Sequence, residues 1–173
     1  MNIFFTGASG TGKTTLANLL GPELDKKVMP SISRNSPYPI GGTEHQQYIS
    51  EELFRLAMQD QNAVFDRTPL DVVGYDLAYG FPHLATTSTL YATVWKRTNP
   101  ILIYFPVYWT PENDGFRPTD EETTTTVDLA IRVQLTGLEY LTVENESPEL
   151  RLKAVLEYIN SREASNADLR IQK

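Results

Sequence analysis

Cysteine is absent from this chain of 173 residues, and histidine occurs only as His45 and His83. The first absence excludes disulfides, zinc–thiolate sites and thiol catalysis; the second argues against a histidine-rich metal centre, so any metal is expected to be held by oxygen. Positive charge is also scarce: 15 Lys and Arg stand against 22 Asp and Glu, a formal net charge of −7. Nucleic-acid binders gain most of their affinity by setting Lys and Arg against phosphates, so DNA is a disfavoured partner, while a local basic pocket stays open. Long hydrophobic runs are missing as well. Ile101 to Trp109 is interrupted by Pro106 and is too short to span a bilayer, and Met1 to Phe5 lacks the basic leader of a secretory signal. A soluble, cytoplasmic protein without a membrane partner is expected.

The 40% apolar content can fill one sizeable core, so one domain over residues 1–160 is expected, followed by a polar tail, 161–173, as a loose helix or frayed end with no assigned function. Short β-branched or aromatic runs alternate with longer helical patterns, which indicates an α/β fold. Strands are expected at Asn2–Thr6, Val28–Ser31, Ala63–Phe65, Ile101–Phe105 and Glu139–Val143. Helices are expected at Lys13–Leu20, Glu44–Asp60, Pro69–Tyr79, Thr87–Arg97, Glu121–Leu135 and Pro148–Ile159. The strand runs are apolar on both faces, as in a parallel sheet of five strands with helices on both sides.

Gly7-Ala8-Ser9-Gly10-Thr11-Gly12-Lys13-Thr14 fits G-x-x-x-x-G-K-[ST], directly after an expected strand and before an expected helix. Such glycines let backbone N–H groups curl inward, and the helix adds its positive end to the same point, which makes an anion cradle. A chance glycine-rich turn is the competing explanation, and the strand–loop–helix context argues against it. The expected ATP phosphate-binding residues are Gly7, Ala8, Ser9, Gly10, Thr11, Gly12, Lys13, Thr14 and Thr15. Lys13 would reach the β- and γ-phosphates, and the Thr14 hydroxyl would ligate Mg²⁺.

Asp66 and Arg67 follow the strand Ala63–Phe65, at the sheet edge where ligands of open α/β folds collect. Asp66 is a candidate magnesium ligand through water, or the acceptor of a hydroxyl proton; Arg67 is a candidate phosphate fork. The bland alternative makes Asp66 the N-cap of the helix near Pro69 and Arg67 a surface ion-pair partner.

Three segments together carry a resemblance: Phe4–Thr15, Phe65–Tyr75 and Asp114-Gly115-Phe116-Arg117. In order and spacing the chain resembles the P-loop nucleoside and nucleotide kinases, particularly thymidylate-kinase-like enzymes and the ribosylnicotinamide-kinase-like ATPases common in phage genomes. The resemblance implies a P-loop three-layer sandwich, strand order 2-3-1-4-5, with a lid near 107–120. It also implies Asp66 beside magnesium and acceptor, and Arg67 on a phosphate. Relatives carry a carboxylate near the end of the second strand, where this chain has Ser31 and Ser33, which leaves the general base open, with Asp66 as replacement.

On the acceptor side, Asp71 and Tyr75 lie four residues apart and share a helix face, so they could present a carboxylate and a ring to a base or sugar. Tyr79, Phe81 and Trp95 could add stacking surface, although aromatics at such positions more often fill a core. Arg34, after the second strand, is a candidate acceptor clamp or a solvated loop cation, and Ser36–Gly42 reads as a loop able to gate the acceptor. In the lid, Arg117 is the candidate finger for the transferring phosphoryl group, and Asp114 orders the loop or approaches magnesium. Glu121 and Glu122 are expected to act at a helix N-terminus rather than in catalysis.

These readings converge on Mg-ATP-dependent transfer of the γ-phosphoryl group to a nucleoside, nucleotide or related small acceptor. Two alternatives are a kinase of a hydroxymethylated pyrimidine in phage DNA, and a regulatory ATPase that switches partners. The acceptor, ATP against GTP preference, and whether the chain forms a homodimer are left open by the sequence.

Overall fold

The structure, a computed structural model, describes residues 1–59, 61–108 and 120–171, with residues 165–171 as backbone only. In chain order the elements are β1 (Ile3–Thr6), α1 (Lys13–Glu23), β2 (Lys27–Val28), α2 (Thr43–Ala57), β3 (Ala63–Phe65), α3 (Pro69–Ala78), α4 (Pro82–Lys96), β4 (Ile101–Tyr104), α5 (Glu121–Leu135), β5 (Leu141–Thr142) and α6 (Pro148–Ile171). The strands form one sheet in the order β2-β3-β1-β4-β5, parallel throughout. Five parallel strands and the 2-3-1-4-5 order are as expected.

Alternation along β1 divides the core into two layers. Ile3 and Phe5 face α1 and α6, packing with Leu16, Leu20, Val155 and Ile159. Phe4 faces the opposite side, where Phe65 stacks on it at 4.8 Å and Trp95 meets it edge-on at 5.0 Å. Fully buried, Trp95 belongs to this core and not to a ligand surface. Helices α2 to α5 cover this second face, and α3 packs against both α4 and α5. At Gly74 a Cβ would stand 3.1 Å from the Val127 carbonyl oxygen, so the bare glycine sets the close approach of α3 to α5.

Several boundaries differ from expectation for local reasons. β2 covers Lys27–Val28 rather than Val28–Ser31, because after Met29 donates to Val64 O at 2.8 Å the chain reaches Pro30, which has no N–H to give. α1 continues through Gly21, where a side chain would come within 2.7 Å of Val28 Cγ2, and through Pro22. α4 begins five residues early, at Pro82 in the first turn; Thr86, Thr89 and Thr93 then bond back to carbonyls four residues earlier. α2 ends at Ala57, and Asp60 lies outside the described residues. α6 runs on to Ile171, through much of the expected tail. No helix among the described residues is long and apolar enough to cross a membrane.

Candidate active site

β1 ends at Thr6, and the chain then turns through Gly7 (φ 147°), Gly10 (φ 76°) and Gly12 (φ 89°) into α1. At Gly7 a Cβ would lie 2.4 Å from the carbonyl oxygen of Phe105, so only glycine fits between β1 and the end of β4. No side chain caps α1, which leaves the positive end of the helix open to an anion. Lys13 is buried, and its Nζ donates to Ala8 O at 2.5 Å and Thr11 Oγ1 at 3.0 Å, folded into the turn. Thr14 Oγ1 donates to Asp66 Oδ2.

Asp66 does not cap α3. That role belongs to Thr68, whose hydroxyl accepts from the Leu70 and Asp71 N–H groups, while Asp71 Oδ2 accepts from Thr68 N at 2.7 Å and from Thr68 Oγ1 at 2.7 Å. The other oxygen of Asp71 accepts from Gly7 N at 2.9 Å. Asp71 is thus buried and bonded between loop and helix. Asp66 Oδ1 is buried with no hydrogen-bond partner, a donor oxygen left over at the end of β3.

Arg67 turns inward rather than pairing on the surface. Its Nη1 donates to Gly7 O at 3.0 Å and faces Asp71 Oδ1 at 3.5 Å, its Nη2 donates to Ser9 Oγ at 3.3 Å, and its guanidinium lies 5.0 Å from the centre of the Tyr75 ring. Burial opposes its charge, and Tyr75, Asp71 and Asp66 beside it more than offset this, holding the guanidinium above its ordinary value. Ser9 Oγ and Tyr75 Oη, 2.5 Å apart, complete the ring.

Next to this network lies a cavity between the phosphate loop, α2, α3 and the chain after β2. Ser9, Asp66, Arg67, Asp71, Tyr75 and Tyr79 line one side, and Met29, Ile32, Ile49 and Leu53 line the apolar part. His45 and Gln46 complete the wall; sequence reasoning missed both. A signal was present, since both polar residues sit on the same helix face as Ile49 and Leu53, which point inward. His45 Nδ1 accepts from Gly41 N at 3.4 Å, and its Nε2 lies 3.2 Å from Ser33 O, so the ring ties the 31–42 segment to α2.

Residues 2–151 match the family model described as an AAA domain. The chain belongs to that AAA domain family. No curated protein matches the sequence. Among solved structures the chain is similar to deoxyadenosine kinase from M. mycoides with dCMP and dCDP bound (TM-score 0.67, 18% identity, 93% of this chain and 100% of that one). It is similar also to the YorR protein from Bacillus subtilis in complex with phosphorylated GDP (0.61, 14%, 95% and 98%). A third is shikimate kinase from Acinetobacter baumannii with shikimate (0.60, 17%, 93% and 93%). At 14–18% identity these likenesses show that this AAA domain shares their fold.

The remaining candidates of this AAA domain separate by position. Arg34 is exposed and does not line the cavity, although Ser31, which accepts from its backbone N–H at 3.3 Å, and Ser33 beside it both do. Phe81 precedes α4 and does not line the cavity. Asp114 and Arg117, with most of the expected lid, lie outside the described residues. Asp120 caps α5 by accepting from Thr123 N at 2.7 Å, with Glu121 and Glu122 in the first turn. Arg151 of α6 reaches the phosphate loop from behind, donating to Thr11 O at 3.5 Å, a contact across 140 residues that no local pattern announces.

Proposed function

We propose that the protein is a kinase that moves the γ-phosphoryl group of ATP to a small acceptor of the nucleoside or nucleotide class. One observation carries this reading: the phosphate loop, with Lys13 folded into it, opens directly beside a cavity walled by Asp66, Arg67 and Tyr75. Donor and acceptor would therefore meet at the end of β3, and holding two reactants in line removes much of the entropic barrier to transfer. The loop amides and Lys13 would take the triphosphate, with Lys13 leaving Ala8 O for the phosphate oxygens.

Thr14 Oγ1 and Asp66 Oδ2, bonded to each other, are the hard oxygen donors that would hold Mg²⁺, which leaves Asp66 Oδ1 without a partner. When bound, the ion neutralises charge on the phosphate oxygens. Arg67 would keep the loop in shape and present its remaining N–H groups to the transferring group. Tyr75 positions Arg67 and Ser9, and Asp71 supports both from below. Arg117 remains our candidate for the closing finger.

The test is ADP release by the purified protein with Mg-ATP, with and without a panel of acceptors, alongside Lys13→Ala. The reading expects acceptor-dependent ADP formation that falls by about 1000-fold or more in the variant, with unchanged circular dichroism. Acceptor-independent hydrolysis alone, or full activity in Lys13→Ala, would refute it.

A further inference from the structure

The charges around the cavity bear on what the acceptor can be, an inference that rests on the kinase reading above. Among the described residues of the wall the charged side chains are Asp66, Arg67 and Asp71. The His45 ring is held by Gly41, whose N–H donates to Nδ1, and by Ser33, whose carbonyl and hydroxyl oxygens lie beside Nε2. Among its described residues the wall thus carries two carboxylates and one guanidinium.

That guanidinium is also engaged. Arg67 is bonded to Gly7 O and Ser9 Oγ, faces Asp71 Oδ1 at 3.5 Å and lies over Tyr75. A phosphate monoester brings a charge of about −1.5 to −2 at neutral pH and calls for several cationic donors of its own. Here it would meet Asp66, whose Oδ1 has no partner, and the single cation is already opposite a carboxylate. Lys13 lies within the loop that serves the donor. The remaining wall joins an apolar patch of Met29, Ile32, Ile49, Leu53 and Phe65 to the uncharged polar groups of Ser31, Ser33 and Gln46, which suits an uncharged ring bearing hydroxyls.

We propose that the acceptor is a compound without a phosphate, a nucleoside phosphorylated on a hydroxyl, and that nucleoside monophosphates are rejected. The hydroxyl oxygen attacks the γ-phosphorus and forms the new P–O bond. The bond from that phosphorus to the β–γ bridging oxygen breaks, ADP leaves with that oxygen, and the hydroxyl proton passes to Asp66. Selectivity here comes from repulsion as much as from fit, since a phosphate brought against Asp66 Oδ1, with Arg67 already engaged, costs far more than a missing contact.

The experiment compares common ribo- and deoxyribonucleosides with their own 5′-monophosphates under saturating Mg-ATP, reading both ADP and the phosphorylated product, with calorimetry of ATP binding in parallel. The expected result is turnover of at least one nucleoside, with kcat/KM about 100-fold or more above that of its monophosphate. A second arm adds one cation to the wall: Ser33→Arg is expected to raise monophosphate use at least tenfold relative to the parent. A nucleoside preference under tenfold, turnover of monophosphates alone, or ATP binding without turnover of any nucleoside would overturn the inference. Absence of ATP binding would instead remove the kinase reading, and this inference with it.

Discussion

The backbone N–H of Gly7 donates to Asp71 Oδ1 at 2.9 Å, across 64 residues, while the other oxygen of the same carboxylate closes the capping box of α3. One buried side chain therefore fixes the start of the phosphate loop to the first turn of the helix that carries Tyr75. Loop and cavity wall form one unit for this reason. A phosphate loop is a run of glycines with little of its own to hold it, and an external carboxylate supplies what local packing does not.

Asp71→Ala should destabilise the protein by about 3–5 kcal/mol, since it leaves Gly7 N and Thr68 N buried without acceptors and removes a carboxylate from Arg67. Urea unfolding followed by tryptophan fluorescence measures this. A change below about 1 kcal/mol would show that water or another acceptor replaces the carboxylate.

Tyr75→Phe keeps the ring beneath Arg67 and removes only the hydroxyl 2.5 Å from Ser9 Oγ. Losing one such bond is worth about 0.5–1.5 kcal/mol, so ATP should bind roughly 2- to 10-fold more weakly, through a loop less well preorganised. Tyr75→Leu, which also takes away the aromatic face, should be worse by about a further 0.5–1 kcal/mol. Calorimetric titration of ATP into the three proteins gives the ranking, and equal affinities would mean that Ser9 and Tyr75 act independently.

Gly7→Ala should abolish ATP binding and lower stability by several kcal/mol. The added methyl would sit 2.4 Å from Phe105 O at a φ of 147°, and the obstacle is backbone, which cannot swing aside. By contrast, Gly80→Ala should cost about 1 kcal/mol: its φ of 76° also favours glycine, but nothing lies within 4 Å of the new Cβ. Thermal melts with and without ATP separate the two, and an ATP-induced rise in Tm for Gly7→Ala would contradict the steric argument.

The sequence made the phosphate loop legible because its chemistry is local: eight consecutive residues, with a strand on one side and a helix on the other. The parallel sheet was legible for the same reason, each strand being an apolar run of a few residues. Helix boundaries were less so where a residue serves a distant partner, as Gly21 does against Val28. The sequence pointed to Asp66 and Arg67, which line the cavity, but not to the bonds they make. Asp71 reads as a helix-face carboxylate facing the acceptor, and only the fold reveals that its oxygens bond Gly7 and Thr68. His45, Gln46 and Arg151 come from elements whose approach depends on the tertiary fold.

Asp76 offers a prediction about pH outside the site. It is fully buried on α3; its Oδ2 accepts from Ser88 Oγ at 2.6 Å, Ser88 in turn meets Ser50 at 2.9 Å, and Oδ1 has no partner. Burial pushes its pKa up to about 6, against the lowering by Ser88. A carboxyl with a folded pKa above its unfolded value binds its proton longer in the native state. Its contribution is therefore most favourable below the unfolded value near 4, declines as pH rises from about 4 to 6, and stays at its lowest above that. About two pKa units correspond to about 3 kcal/mol, carried by the native protein at neutral pH as the cost of an ionised, half-satisfied carboxylate. Asp76→Asn keeps the shape and the acceptor for Ser88 but cannot ionise, so its stability relative to the parent should rise by that amount between pH 4 and 6.5 and then level off. Urea unfolding of both proteins across this range measures the difference; a difference that does not vary with pH would mean that Asp76 is ionised in the native state throughout.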